Sequence, residues 1–318
     1  MKERLIAIFV FFILLFPLIL FGAEQKGETG KTLFYVDFYN GYDNNVNLDS
    51  SESERKEDFF SQFDMELGYE YPFSELYKAK IDYYLNSKSY YKINEASFYD
   101  NNIELELTRK LTDIFYASIS HNFESLYYPD GDSDYFGNDS KLSFRHDIKE
   151  WIYQKLSYDF ISKDFYEQKT RDKSEANMDF NRKDLRNCLT HELGIWVKDT
   201  SIKLKNKYYR NDSNDEYMDY YDYSSYRVSL TVSAPVISDK FLGMISGGYQ
   251  IKEYDERLLV DSDSTQKDNS YDISASLYYN ISKTTSLSLN CSYSENNSNE
   301  PSEDYSDTTT SFGIHYVF

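Results

Sequence analysis

The chain has 318 residues, a formal charge of −20, and 33 Tyr and 22 Phe in an otherwise polar sequence. That charge argues against a nucleic-acid partner, whose phosphates would be repelled. Two cysteines, Cys188 and Cys291, do not make a disulfide scaffold, and 12 Gly with 5 Pro are too few for a collagenous or linker-rich protein.

The first element is a leader. Lys2 and Arg4 precede the apolar run LIAIFVFFILLFPLILF (5–21), and Gly22-Ala23 offers small residues for cleavage before Glu24. Residues 1–23 thus read as a secretory signal peptide, which makes the protein an exported one. The run is long for a signal peptide, so a retained membrane helix is the rival reading. Pro17 and the polar EQKGETGK that follows favour cleavage. No later stretch approaches the ~20 apolar residues that a spanning helix requires.

From there the pattern is period-two alternation, which sorts a strand into one apolar and one polar face. A first strand is expected at 32–42. In DFFSQFDMELGYEY (58–71), Phe59, Phe63, Met65, Leu67, Tyr69 and Tyr71 share a face opposite Asp64, Glu66 and Glu70. YKAKIDYYLN (77–86, in a strand 76–86) sets Ile81, Tyr83 and Leu85 against Lys78, Lys80 and Asp82. Strand 97–108 carries Asp100, Glu104 and Glu106 on its polar face, and 113–123 follows. Strand 139–148 contributes Lys141 and Arg145, 151–161 Lys155, and 201–210, after 185–197, the row Lys203, Lys205 and Lys207. Arg227 stands on 223–234, and 241–252 comes next. The last three strands, 270–281, 285–294 and 308–318, have polar faces rich in Ser, Thr and Asn, among them Ser274, Ser276, Asn280, Ser286, Ser288, Asn290, Ser292, Thr309 and Ser311.

About fourteen strands of near ten residues match the length of tilted strands that cross an outer membrane. The connections alternate in length. Short ones are 71–75, 109–113, 148–151, 198–201, 235–240 and 280–284. Long, mostly acidic ones include 43–58, 124–139, 162–184, 255–268 and 294–307. Short turns on one side and long loops on the other are the pattern of a transmembrane antiparallel up-and-down β-barrel, with both ends of 24–318 on the periplasmic, short-turn side. Loop 162–184 is expected to fold inward and narrow the lumen. Aromatics bracket the apolar band: Tyr39, Tyr42, Phe59, Tyr83, Tyr84, Tyr208, Tyr209, Tyr223 and Tyr226 towards the outer rim, and Tyr69, Tyr71, Phe73, Trp151, Trp196, Phe241, Tyr279, Tyr316 and Phe318 towards the inner one. The competing fold, a soluble β-sandwich, would carry Gly/Pro turns at regular spacing and loops of similar length on both sides.

The final stretch, SFGIHYVF (311–318), resembles the C-terminal assembly signal of bacterial outer-membrane proteins, in Ser311, Gly313, Tyr316 and Phe318. The resemblance implies that the barrel-assembly machinery reads this strand, which then closes against the first. Taken whole, the mature chain resembles the monomeric porins typified by outer membrane protein G and, more loosely, the oligogalacturonate-type sugar porins. That likeness implies a monomer in outer-membrane lipid. The pH gate of that group uses a lumen-facing His pair; here only His315 falls on the inner alternation, with His121, His146 and His191 on the other, so the gate does not carry over.

Fourteen strands leave a lumen of intermediate width. The inward face comprises Asp64, Glu66, Glu70, Lys78, Lys80, Asp82, Glu104, Glu106, Lys141, Arg145, Lys155, Lys203, Lys205, Lys207 and Arg227, and such charges demand pairing or water. The expected function is a water-filled passive diffusion channel for ions and small hydrophilic solutes, cation-preferring or sugar-permeable, with acidic loops that draw cations to the mouth. The alternative is an adhesin or receptor acting through acidic, Tyr-rich loops. Catalysis fits poorly: no G-x-S-x-G elbow occurs, and HELG (191–194) lacks the second His of a zinc-protease helix. No cofactor is expected, and no loop has EF-hand spacing, so no metal site is assigned. Cys188 and Cys291 fall on opposite alternations, so no disulfide is expected between them.

Overall fold

The computed structural model describes residues 30–318, apart from 52, 132, 175, 218, 219, 239 and 261. The expected leader, 1–23, lies outside the described residues. The strands are β1 (Lys31–Asp43), β2 (Asp58–Pro72), β3 (Tyr77–Tyr90), β4 (Phe98–Lys110), β5 (Phe115–Tyr127), β6 (Tyr135–Lys149) and β7 (Ile152–Arg171). They continue as β8 (Asn177–Val197), β9 (Thr200–Ser213), β10 (Tyr223–Pro235), β11 (Phe241–Leu258), β12 (Thr265–Asn280), β13 (Thr285–Ser298) and β14 (Tyr305–Val317). Each pairs antiparallel with the next, and β14 returns to β1, from Tyr35–Val317 to Asp43–Thr309. Through the body of the barrel, closure pairs every described strand on both sides.

The reason for closure lies in the two faces. Leu105, Leu107, Ile119, Leu142, Phe144, Leu156, Phe160, Leu189, Leu230, Ile245, Leu289, Phe312 and Ile314 are all exposed, while Asp37, Glu66, Asp82, Asp159, Ser143 and Ser288 are buried. This inverts a water-soluble protein. A sandwich would bury its apolar faces between two sheets; here one closed sheet turns them outward as a continuous band. Such a band is far larger than the few hundred Å² that a soluble monomer leaves in water, so lipid is its solvent. Backbone groups are satisfied within the ladder, as a spanning structure requires.

One end of the barrel has the short turns 73–76, 111–114, 150–151, 198–199, 236–240 and 281–284. The other carries 44–57, 91–97, 128–134, 172–176, 214–222, 259–264 and 299–304. Most of the long connections expected from sequence are shorter than they read, because the strands run on. The largest correction concerns 162–184. β7 continues to Arg171 and β8 starts at Asn177, so this segment is a hairpin that extends the wall rather than a loop folded into the lumen. Its turn is closed by Asp172, which accepts from the Ser174 hydroxyl and from the amides of Ser174 and Ala176. These donors hold the Asp172 carboxyl below the usual carboxylate range.

Phe318 packs into the closure seam. The Phe318 amide donates to the Phe34 carbonyl at 2.9 Å. Its ring lies 4.8 Å from Phe34 and 4.2 Å from Tyr316. On the inner side of the same seam, His315 meets the Asp37 carboxylate.

Candidate functional site

The register decides which side chains face inward. Buried Asp37 sits opposite both Asp64 and His315, and buried Asp82 sits opposite Gly68 and Glu104. Following these partners around the ladder puts Asp64, Glu66 and Glu70 of β2 on the inner face, with Lys78, Lys80 and Asp82 of β3 and Asp100, Glu104 and Glu106 of β4. Lys141 and Arg145 of β6, Lys155 of β7, Lys203, Lys205 and Lys207 of β9, and Arg227 of β10 join them. The serine, threonine and asparagine rows of β12, β13 and β14 complete the ring.

These charges are segregated. β1 to β4 present Asp37, Asp64, Glu66, Asp82, Glu104 and Glu106. β9 lies across the barrel from β2 in the strand order, and presents Lys203, Lys205 and Lys207. Some charges are matched locally: Lys80 to Asp82 at 2.8 Å, Lys78 to Glu70 at 3.0 Å, Lys141 to Asp159 at 3.0 Å, Lys205 to Glu192 at 3.8 Å, and Arg227 to Asp272. Others are held by neutral donors: Asp64 by the amides of Gln62 and Asn86, and Glu66 by the hydroxyls of Tyr35 and Tyr84. Pairing is thus less symmetrical than a basic third strand between two acidic ones suggests. Lys80 finds Asp82 on its own strand.

The interior is not a packed core. Side chains of Lys78 and Arg145 are 41% exposed, Lys205 46%, and the Arg227–Asp272 pair 34% and 36%. Charged groups that point away from the outer surface are therefore open to solvent-sized space. Asn122 Oδ1, Asp139 Oδ1, Ser288 Oγ and Asp307 Oδ1, all on the inner face, have no protein partner among the described residues.

The inner wall holds residues that sequence reading placed otherwise or missed. Tyr39, Tyr84, Tyr209 and Tyr223, expected in the outer aromatic belt, point into the barrel by register. Trp196 also follows the inner alternation, with its ring 5.0 Å from Tyr153. Towards the long-loop end, Arg182 stacks on Phe165 at 4.2 Å and Tyr221 at 3.4 Å, and Arg257 on Tyr220 at 3.8 Å while reaching Glu303 at 2.6 Å. Lys252 lies over Tyr223 and Tyr254 at 4.1 and 4.3 Å. Arg182 and Arg257 fell in segments read as loops, 162–184 and 255–268, where alternation carried no signal. The connection 214–222, through Tyr220 and Tyr221, is what docks against this cationic cluster.

Other candidate groups separate. His191 and Glu192 of HELG are neighbours on a strand and face opposite sides, so they cannot share a metal ion. Cys188 is buried on the inner wall and Cys291 exposed on the outer one, and both are free. No group of three or more His, Cys, Asp or Glu among the described residues is placed to hold a metal ion.

No family model matches the sequence, and no curated protein matches it. Solved structures do. The trimer form of in-vitro folded OmpT, an outer membrane protein of Vibrio cholerae, superposes with a TM-score of 0.54 at 7% identity, over 92% of this chain and 100% of that one. OmpT expressed in the outer membrane gives 0.53 at 8% identity, over 92% and 99%. OprB of Pseudomonas putida at high pH gives 0.50 at 8%, over 90% and 94%. At such identities the likeness is one of fold, and it is shared across nearly the whole described barrel. The chain folds as a closed, fourteen-stranded antiparallel barrel, the fold it shares with these outer-membrane proteins.

Proposed function

We propose that this protein is an outer-membrane porin, a water-filled passive channel for ions and small hydrophilic solutes. The observation that carries this reading is the exposure of inward-facing charges such as Lys205 and Arg145 inside a closed barrel. Charges in a sealed interior would be buried and matched throughout, because an unmatched ion there costs several kcal/mol. In this reading 44–57 and its neighbours face outward, and the short turns face the periplasm.

The chemistry follows from the segregation. A solute crossing the barrel has carboxylates of β2 and β4 on one flank and the lysine row of β9 on the other. Between opposed charges in a narrow, low-dielectric wall the field is transverse, so a dipolar solute aligns across it. The serine and threonine rows of β12 to β14 offer hydroxyls that exchange hydrogen bonds with a sugar at little net cost. Carboxylates outnumber bases on β1 to β4, and the chain as a whole is acidic, which favours cations. Ser311, Gly313, Tyr316 and Phe318 would serve as the recognition strand for assembly. Liposome swelling tests the reading: liposomes carrying the folded protein should swell in isotonic arabinose, and more slowly in raffinose. Swelling no faster than that of protein-free liposomes would refute it.

A further inference from the structure

The inner wall is not uniform. Near the short-turn end, between β3 and β8, it is hollowed into a polar cavity of about 420 Å³. The cause is a row of small hydroxyl residues in register across four strands: Thr108, Ser118, Ser143 and Ser157. Ser118 and Ser143 line the floor, and buried Ser143 is joined to buried Ser157 behind it by an Oγ–Oγ hydrogen bond of 2.9 Å. One step towards the turns lies the row Tyr116, Arg145, Lys155 and Glu192; one step towards the long loops lies the row Glu106, Ser120 and Lys141.

Most charges at the cavity are already engaged. Arg145 binds Asp147 at 2.7 Å and stacks on Tyr153 at 4.2 Å. Lys78 holds Glu70, and Glu192 accepts from the Tyr153 hydroxyl at 2.5 Å with Lys205 beyond. Two are not. Glu106 accepts only the Thr108 hydroxyl at 2.9 Å, and neither it nor Lys155 has an opposite charge within 4.0 Å among the described residues. One is an open carboxylate on one lip; the other is an open ammonium on the opposite lip, with hydroxyls between them.

We propose that this recess is a binding subsite for small zwitterions of dipeptide length, with the ligand's ammonium at Glu106 and its carboxylate at Lys155. The proposal rests on the channel reading and names a solute class for it. Glu106 and Lys155 are offset by four residues along the strands and by three strands across them, roughly 13 and 14 Å between backbones. Two long side chains reach in from the lips and shorten that gap without closing it. An extended dipeptide, with charged ends about 7 Å apart, spans what remains better than a single amino acid does. The volume is at the small end of the range for ligand sites, about 300 to 1,000 Å³. The peptide amide of the ligand would meet the serine floor.

Saturation-transfer NMR on the detergent-folded protein at pH 7 reads this site without depending on conduction. The probes are glycylglycine and N-acetylglycinamide, nearly equal in shape but one zwitterionic and one uncharged. Glycylglycine should receive several-fold more saturation. Glu106→Gln and Lys155→Gln should each cut that transfer at least fivefold, and Lys155→Arg should preserve it. Equal transfer to the two probes in the unmodified protein would overturn the proposal, as would undiminished transfer in both neutral variants. A barrel that conducts but does not discriminate loses the subsite and keeps the channel. One that discriminates but stays silent in a bilayer keeps the subsite and loses the channel.

Discussion

At the scale of residues, the interior is shaped by absent side chains as much as by present ones. Tyr153 lies flat over Gly194, its register partner, and Tyr39 over Gly313. A Cβ at either glycine would run into the ring. The rings are thereby kept against the wall, out of the lumen. This gives Gly313 a packing role in the β1–β14 seam that is separate from recognition by an assembly machinery. Refolding in vitro, where no machinery is present, distinguishes the two. Gly313→Leu should overpack the seam by about 1–3 kcal/mol, and the folded, fast-migrating fraction on unheated gels should fall. The double variant Tyr39→Ala/Gly313→Leu should recover part of it, since the Phe38 carbonyl oxygen, 2.8 Å from the added Cβ, stays in place. Full folding of the single variant would show that Gly313 has no packing role in the seam.

A second residue-scale prediction concerns Asp43. It is 4% exposed, accepts from the Tyr90 hydroxyl at 2.6 Å and meets Lys88 at 3.4 Å. Asp43→Asn removes the nearer of the two carboxylates beside a largely buried lysine and leaves Asp307 as the other. Breaking such a pair costs about 3–5 kcal/mol when fully buried, and less here because Lys88 lines a wet interior. Urea unfolding in lipid vesicles should show a lower midpoint, and Asp43→Asn/Lys88→Met should regain part of the loss. An unchanged midpoint in the single variant would show that the pair contributes nothing.

At the scale of elements, strand number, alternation and the alternating turn lengths were legible because lipid on one face and water on the other write a period of two into each strand. That signal stops where the bilayer stops. β7 and β8 run on past it as KDFYEQKTR (163–171) and NMDFNRKD (177–184), where Phe165 is buried and Phe180 exposed but charged and polar residues break the period of two. The hairpin therefore read as a loop. Trypsin distinguishes the two descriptions. A paired hairpin should be cut first at Lys173 in its turn, with Lys163 and Lys183 protected by the ladder. Simultaneous early cleavage at all three would restore the loop.

The same limit applies to the candidate site. Alternation assigns a face, and it placed Glu106, Lys155 and the β9 lysines inward. It cannot assign partners. Whether Lys80 takes Asp82 from its own strand or a carboxylate from β2 or β4 depends on twist and side-chain reach. The hydroxyl row behind the recess was invisible for a related reason: Thr108, Ser118, Ser143 and Ser157 are unremarkable one by one and adjoin only once register is known. Tyrosine misled in another way. It is at home at a lipid–water boundary and in a polar lumen alike, so Tyr39 and Tyr209 read equally well as belt or as wall.

At the scale of the molecule, the barrel is a soluble protein turned inside out, apolar on its exposed exterior and charged within. Its acidic sector on β1 to β4 lies across the interior from the basic row of β9, the acids Asp37, Glu66 and Asp82 buried in the wall and Lys205 open to the interior. Replacing Lys203, Lys205 and Lys207 together with Glu should leave the barrel able to insert, and should shift the reversal potential further towards the cation equilibrium value. The most direct test of the central claim is planar-bilayer conductance of the folded protein in a KCl gradient. The account predicts discrete ohmic steps and a reversal potential of the sign for cation preference. A correctly folded barrel that inserts and passes no current would contradict it.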